Sequence, residues 1–220
     1  KECRQAGFDN INIDLMFALP GQDIKLWYQD IHTAVEFSPD HLSLYNLQVE
    51  EGTSLWRKQQ KGLIVLPTEE EDEQMYTCAV RYLAAKGYPR YEISNFARET
   101  RECLHNLTYW KNNNYLGIGV AAHSHIDGTR WANTSSLEDY LSAPENAVVE
   151  EIKGTPLSIK QEKIFLGLRL AEGVKKSFFV GYEQQIEQLI QDGLLEKFET
   201  NYRLTDKGVL LGNRVFCCFV

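Results

Sequence analysis

The chain has 220 residues, of which 43% are hydrophobic and 25% are charged, and its formal net charge is −8. This composition supports one large globular domain or two smaller ones. The acidic balance disfavours nucleic acid as a partner, because such binding depends on Lys and Arg at the phosphates. Apolar runs are too short for a membrane span and the N-terminus lacks the apolar core of a signal peptide, so we expect a cytoplasmic protein.

The cysteines show no recurring spacing, which favours reduced thiols over a disulfide framework. There are five, an odd number: Cys3, Cys78, Cys103, Cys217 and Cys218. The chain begins at a lysine, and a strand pattern starts within about ten residues of it. We therefore expect an upstream portion of the protein to precede this sequence.

The first part of the chain alternates between strand and helix patterns. Strands are predicted at 11–17, 41–49 and 91–96 from their apolar residues and flanking turns. A helix capped by Asp23 follows the first strand, and one opened by a capping box of Thr68 and Glu71 follows the second. This order predicts βαβ units and a parallel sheet, as an α/β half-barrel or an open sheet.

Functional residues of parallel sheets collect at the carboxyl ends of the strands. The polar residues near those ends are Asp14, Asn46, Glu92 and Asn95. Each is a candidate for binding a ligand. Each could equally cap a turn, and the sequence leaves both interpretations open.

The last part of the chain has a different pattern. A capping box of Ser158 and Gln161 predicts a helix through Leu170, and a second helix is expected over 182–192. A hairpin over 194–205 and a final helix complete the order of a winged-helix module. The helix before the hairpin carries three acids and no base, which favours a packing or lid role over DNA binding.

The segment 91–125 holds His105, His123 and His125. A zinc site is disfavoured, because His123 and His125 would face opposite sides of a strand and no Cys-x-x-Cys or His-Glu-x-x-His motif accompanies them. Haem fits better, since Tyr109 and Trp110 follow His105 and offer flat rings for a porphyrin. The alternative is that these aromatic residues belong to the core.

A Gly-x-Gly pattern follows the aromatic residues. Gly117 and Gly119 would let the backbone approach a ligand closely. A tight turn would explain the same two glycines equally well, so the pattern alone is weak support for a cofactor site.

Four blocks of sequence resemble consecutive motifs of the HemW family of radical S-adenosylmethionine (SAM) proteins. They are Asn-Ile-Asp-Leu-Met-Phe-Ala-Leu-Pro-Gly-Gln at 12–22, His-Leu-Ser-Leu-Tyr at 41–45, Tyr-Glu-Ile-Ser-Asn-Phe-Ala at 91–97 and His-Asn-Leu-Thr-Tyr-Trp at 105–110. The last block is the most specific, because it resembles the haem-binding signature of these chaperones. The family is related to oxygen-independent coproporphyrinogen III oxidase.

The resemblance implies roles for individual residues. His105 would contact haem as a ligand of its iron, and Tyr109 and Trp110 would help to form the haem site. Asp14 would accept hydrogen bonds from the ribose hydroxyls of SAM. Gln48, just past the second strand, matches a position where the family backbone lies near SAM.

Three departures from the family pattern stand out. Ala18 and Ala121 replace usual glycines, and each adds one methyl group that could narrow a cofactor pocket. The Cys-x-x-x-Cys-x-x-Cys motif that holds the 4Fe-4S cluster is not in this sequence. Since electrons reach SAM through that cluster, we expect this chain by itself to be catalytically inactive.

The resulting prediction is an α/β fold. Residues 1–150 would be the C-terminal half of a radical SAM barrel with the haem-binding motif, and 151–220 a winged-helix-like domain of the HemN C-terminal type. The predicted function is a haem chaperone that transfers haem to haem-requiring target proteins. SAM and the 4Fe-4S cluster would be cofactors of the full-length parent, for which dimerisation and peripheral membrane association stay open.

Two other functions remain as alternatives. One is oxygen-independent coproporphyrinogen III oxidase, which acts in porphyrin biosynthesis on the same scaffold. The other is a nucleic-acid regulator built on the winged helix, which would bind DNA in a salt-dependent way and which the acidic helix disfavours.

Overall fold

The computed structural model describes residues 1–220, with the side chain of Asn146 excepted. The chain forms two compact units, Lys1–Cys103 and Leu104–Val220. The sequence predicts a division at residue 150 between a barrel part and a winged-helix-like part. This predicted division does not coincide with the boundary between the two units, and it stays a prediction.

The first unit contains a small sheet and the helices that cover it. Its strands are β1 (Asn12–Phe17), β2 (His41–Asn46) and β3 (Asn95–Ala97). Its helices are α1 (Glu2–Gln5), α2 (Ile24–Glu36), α3 (Ser54–Gln60) and α4 (Glu69–Ala85). The predicted helix caps are confirmed: Asp23 accepts from the Leu26 N–H, and Thr68 and Glu71 form a capping box.

The sheet has the order β1-β2-β3. β1 and β2 are parallel, as predicted, but β3 is short and antiparallel to β2, so a wholly parallel sheet was wrong. The reason lies just before β3. The Tyr91 N–H donates to the Asn95 carbonyl and the Asn95 N–H to the Glu92 carbonyl, which reverses the chain.

The core of this unit lies between the sheet and helices α2 and α4. Phe17, Leu42 and Leu44 point inward from the strands, and Trp27 from α2 is fully buried among them. The indole Nε1 of Trp27 donates to the Met75 carbonyl at 2.9 Å, so its polar atom is satisfied. This packing leaves the opposite face of the sheet for polar residues.

The second unit begins with α5 and contains two further sheets. Its helices are α5 (Leu104–Trp110), α6 (Leu137–Ser142), α7 (Pro156–Gly167), α8 (Glu183–Gln191), α9 (Asp206–Leu210) and α10 (Gly212–Phe216). Its strands are β4 (His123–Ile126), β5 (Thr129–Asn133), β6 (Val148–Lys153), β7 (Val174–Lys175), β8 (Leu195–Phe198) and β9 (Asn201–Leu204). Short 3-10 helices lie at Pro144–Asn146, Lys176–Phe179 and Cys217–Phe219.

The strands β4, β5 and β6 form an antiparallel meander, and β7, β9 and β8 form a second three-stranded sheet. The helix α7, the helix α8, the β8–β9 hairpin and the last helices follow in the predicted winged-helix order. The predicted capping box was wrong: Thr155 caps α7, with Ser158 at the third helical position. Pro156 explains this start, because proline is favoured in the first helical turn.

Candidate functional site

One face of the first sheet carries a chain of polar side chains that runs from buried His41 to exposed Asp14. His41 on β2 lies opposite Asn12 on β1, and its Nδ1 is 2.7 Å from the Asn12 Oδ1. Its Nε2 is 2.9 Å from the Tyr91 hydroxyl. Burial lowers the pKa of His41, and it outweighs the negative charges of Asp14 and Glu102, which act in the opposite direction. The neutral imidazole therefore donates to Asn12 and accepts from Tyr91.

Asp14 lies at the exposed end of this chain of hydrogen bonds. It is in the middle of β1, not at the strand end as the sequence suggested, and its Oδ1 accepts from the Asn12 Nδ2 at 2.6 Å. Gln48 follows β2 and is also exposed, and its Nε2 donates to the Asn46 Oδ1 at 3.2 Å. Asn12 therefore orients the Asp14 carboxylate on an accessible polar face.

The other strand-end candidates are engaged in local structure. Asn46 donates to the Asp72 carboxylate, and Asn95 donates to Glu92. Glu92 is buried, and its Oε1 also accepts from the Ser94 N–H at 2.9 Å. These three polar residues hold the turn before β3 and the end of β2, as the turn-capping interpretation expects.

His105 lies on α5 in the second unit and is exposed. Its Nε2 is 3.1 Å from the hydroxyl of Tyr109, one helical turn later. The two rings meet edge to face, with centroids 4.9 Å apart. The separation of four residues explains this pairing, because side chains at i and i+4 share a helix face.

A series of contacts continues from Tyr109 into the unit. The Tyr109 ring packs against that of Tyr115 at 4.6 Å, and the Tyr115 hydroxyl accepts from Arg130 Nη1 at 3.1 Å. Arg130 on β5 makes two hydrogen bonds of 3.0 Å to Glu162 on α7. Burial would raise the pKa of Glu162, but the hydrogen bond and charge of Arg130, together with the hydrogen bond from Asn112, lower the pKa overall. The ion pair thus supports the aromatic rings behind His105.

The end of α5 is fixed by the same ion pair. Asn112 has a positive φ of 51°, a conformation that asparagine tolerates at the end of a helix. Its side chain is buried, accepts from Arg130 at 2.7 Å and donates to Glu162 at 3.2 Å. The helix that carries His105 is therefore anchored to β5 and α7 at its C-terminal end.

Trp110 lies on another side of α5. Five positions along a helix rotate a side chain by about 140° from its starting direction. The Trp110 ring stacks under the guanidinium of Arg169 at 4.4 Å, and its buried Nε1 has no hydrogen-bond partner among the described side chains. Trp110 thus packs within the unit, while Tyr109 is the aromatic residue that contacts His105.

The prediction that His123 and His125 face opposite sides of a strand was wrong, because they lie two positions apart on β4 and residues at that spacing share a face. His123 is exposed and His125 is buried. The Nδ1 of His125 lies 3.1 Å from the Asn113 carbonyl, and its ring is 6.1 Å from Tyr115. Among the described residues, no three His, Cys, Asp or Glu side chains come together as a metal site.

The glycines of the Gly-x-Gly pattern have local structural reasons. A Cβ on Gly117 would lie 2.1 Å from the His123 carbonyl oxygen, so only glycine fits against β4. Gly119 has a φ of +113°, which side chains rarely adopt. Both ligand roles stay predictions, and the tight-turn interpretation accounts for the two positions.

The two alanines that replace family glycines are both in the left-handed region. Ala18 has a φ of 58° directly after β1, and Ala121 has the same φ before β4. Glycine adopts this conformation without the steric cost that a Cβ brings. The departures from the family pattern are therefore sites of backbone strain in this chain.

Several supporting residues were not found by sequence reasoning. Arg130, Glu162 and Asn112 converge from separate elements, and no local motif connects them. Asn12 and His41 could have been found, because strand alternation places Asn12 on the same face as Asp14.

Among the described residues, none of the helices is long and apolar enough to span a bilayer.

Comparison with known proteins agrees with this architecture. Residues 159–211 match the HemN C-terminal domain. The fold matches that of coproporphyrinogen III oxidase (HemN) from Escherichia coli, a radical SAM enzyme, with a TM-score of 0.77 and 24% identity over 98% of this chain and 56% of that one. The chain thus has the α/β fold of the radical SAM proteins related to HemN.

Sequence comparison finds more similar proteins than this structural match. The chain is 39% identical to heme chaperone HemW of Lactococcus lactis over 98% of its length, and 37% identical to heme chaperone HemW of Bacillus subtilis over all of it. Over nearly its whole length the chain is therefore similar to proteins named heme chaperone HemW. It spans 60% and 61% of the length of these two relatives.

Proposed function

We propose that the chain belongs to a haem carrier, and that His105 is the residue that binds the haem iron. The observation that carries this proposal is the exposed imidazole of His105, presented on a helix that is anchored from behind. Imidazole is a common axial ligand of haem iron. An accessible ligand also suits a carrier, because cargo must both enter and leave.

The surroundings of His105 offer apolar surface for a porphyrin. Leu104 is 79% exposed beside it on α5, and Leu116 and Ile118, which follow Tyr115, are 63% and 83% exposed. The segments that carry these side chains meet where the Tyr109 and Tyr115 rings pack together, and exposed apolar surface is typical of binding sites. Tyr109 adds the ring that contacts His105. Trp110 would contribute by holding α5 through its stack on Arg169.

The polar face of the first unit supports a second part of the proposal. The Asp14 carboxylate is exposed and oriented by Asn12, which suits it to accept hydrogen bonds from the ribose hydroxyls of SAM. Gln48 would lie near the same ligand. SAM supplies radical chemistry in this class, and Asp14 would only bind and orient it. SAM binding by the chain and by Asp14→Asn, measured by calorimetry, tests this role.

The cysteines of this chain do not match the motif of a 4Fe-4S cluster. The Cys-x-x-x-Cys-x-x-Cys spacing is not in the sequence, and Cys3, Cys78 and Cys103 are far apart along the chain. No step of the proposed function uses a cluster. We also propose that the cargo passes to haem-requiring target proteins in the cytoplasm; dimerisation, membrane association and lack of nucleic-acid binding stay predictions.

A haem titration tests the central part of this proposal. The chain should bind one equivalent of ferric haem with a saturable shift of the Soret band. His105→Ala should lose this shift, because it removes the imidazole proposed to bind the iron. His123→Ala is the matched control, since His123 is also exposed in the second unit, and it should bind haem like the unmutated chain.

Two outcomes would contradict the proposal. If His105→Ala retained the parent's Soret shift, His105 would not be the ligand. Turnover of coproporphyrinogen III by the intact parent protein would support the oxidase alternative instead. The likeness to HemN, at 24% identity, shows the fold and does not choose between the two activities.

A further inference from the structure

The imidazole atom that faces Tyr109 is already in a hydrogen bond. The Nε2 of His105 and the hydroxyl of Tyr109 are 3.1 Å apart, and the two rings are nearly perpendicular, at 87°. The Tyr109 ring is itself held against Tyr115, whose hydroxyl is bound by Arg130. The Tyr109 hydroxyl is therefore kept in place beside the imidazole nitrogen.

A neutral imidazole nitrogen has either one lone pair or one proton to offer. If Nε2 accepts from the Tyr109 hydroxyl, its lone pair is used by that hydrogen bond. If Nε2 donates to the hydroxyl, it carries the ring proton and has no lone pair available for a metal ion. In both cases the same nitrogen cannot bind a metal ion while it is bonded to Tyr109.

We propose that Tyr109 is a release residue, whose hydroxyl competes with haem iron for the Nε2 of His105. This inference rests on the proposed function and adds how the cargo leaves. On release, the iron–nitrogen bond breaks, the electron pair stays on Nε2, and the Tyr109 O–H donates to it. The phenolic proton remains on oxygen, and nothing is oxidised or reduced.

The competition has a defined consequence for transfer. A hydroxyl poised at the nitrogen replaces the lost iron bond, so the unloaded state is stabilised relative to one with a bare imidazole. A net hydrogen bond of ordinary strength corresponds to about a threefold to tenfold change in an equilibrium constant. Tyr109 would therefore lower haem affinity modestly and speed its transfer to an acceptor.

Tyr109→Phe tests the proposal, because it removes the hydroxyl and keeps the ring against His105 and Tyr115. Loss of haem from the loaded chain to excess apomyoglobin should slow by about threefold to tenfold. An unchanged rate, a faster rate or loss of haem binding would overturn the proposal. Tyr182→Phe is the matched control, since its ring packs on Phe219 elsewhere in the unit, and it should match the parent rate.

A second readout needs no haem. In the unloaded chain labelled with ¹⁵N histidine, NMR should show the His105 Nε2 as a hydrogen-bonded atom whose shift moves in Tyr109→Phe and not in Tyr182→Phe. An unmoved signal would overturn the proposal. The two levels are separable: retention of haem by His105→Ala contradicts the proposed function, whereas loss in His105→Ala with an unaltered rate in Tyr109→Phe contradicts only the release role.

Discussion

Two histidines, one in each unit, are placed in opposite ways. His41 is 6% exposed, and both of its ring nitrogens are bonded within the first unit, to Asn12 and Tyr91. His105 is exposed, and its Nε2 is bonded to the single hydroxyl of Tyr109. A buried imidazole with two partners holds a structure together. An exposed one with a displaceable partner is available to a ligand.

This difference shows that the contacts around a histidine determine whether it stabilises the fold or is accessible to a ligand. Both ring nitrogens of His41 are hydrogen-bonded within the first unit, and Asn12 links the imidazole to the exposed Asp14. Around His105 the contacts with Arg130 and Glu162 anchor the helix from behind and leave the imidazole at the surface. Four measurements would break or sharpen this contrast.

The largest effect is expected in the core beneath the polar face. Trp27→Ala removes a fully buried indole and its hydrogen bond to Met75. We expect a loss of about 3–5 kcal/mol in the free energy of unfolding, measured by urea denaturation. Leu63→Ala, at a residue that is 69% exposed, is the control and should change it by less than about 0.5 kcal/mol. Equal losses in both variants would contradict the assigned core.

The support behind His105 is the next target. Arg130→Ala leaves the Glu162 carboxylate and the Tyr115 hydroxyl without their guanidinium partner. The expected loss is about 1–3 kcal/mol in thermal or urea unfolding. Arg214→Ala removes an exposed ion pair with Asp192 and should cost less than about 1 kcal/mol. If both arginines proved equally dispensable, the ion pair would not anchor α5.

The pH dependence of stability tests the role of His41. Burial lowers its folded pKa below the unfolded value of 6.5, so its contribution is present above that pH and is lost as the pH falls through the folded pKa. The melting temperature should therefore drop below about pH 6.5. His41→Gln should flatten this part of the profile, whereas the exposed His32→Gln should not. A parent profile that is flat in this range would contradict the assignment.

The smallest effect concerns the strained alanines. Ala18→Gly and Ala121→Gly relieve a left-handed backbone, and glycine's own entropic cost offsets part of the gain. Each should raise the unfolding free energy by about 0.5–1 kcal/mol. Ala79→Gly, within α4, is the control and should lower it by about 1 kcal/mol or more. A loss of stability in both strained positions would contradict the conformations described here.

Much of the fold could be predicted from residues that are close together in the sequence. The helix caps at Asp23 and Thr68 and the parallel pair β1–β2 followed from residue spacing, because these features depend on neighbours in sequence. The direction of β3 did not follow, since it is set by hydrogen bonds inside the turn at 91–95. The helix α7 begins earlier than predicted, because Thr155 caps it and Pro156 occupies its first position.

The candidate site was predictable to a smaller extent. The sequence grouped Tyr109 with His105, and the structure brings their side chains together because the segment is helical. Trp110 was grouped with them by sequence adjacency, although helix geometry turns it towards Arg169. The convergence of Arg130 and Asn112 depends on tertiary packing, which no pattern along the chain contains.

Resonance Raman spectroscopy of the haem-loaded chain measures the bond between the iron and its protein ligand. With ¹⁵N-labelled histidine, the iron–histidine stretching band of the ferrous complex should shift to lower frequency, and His105→Ala should abolish it while His123→Ala retains it. An iron–histidine band that persists in His105→Ala, or a parent band that ignores the label, would contradict ligation by His105.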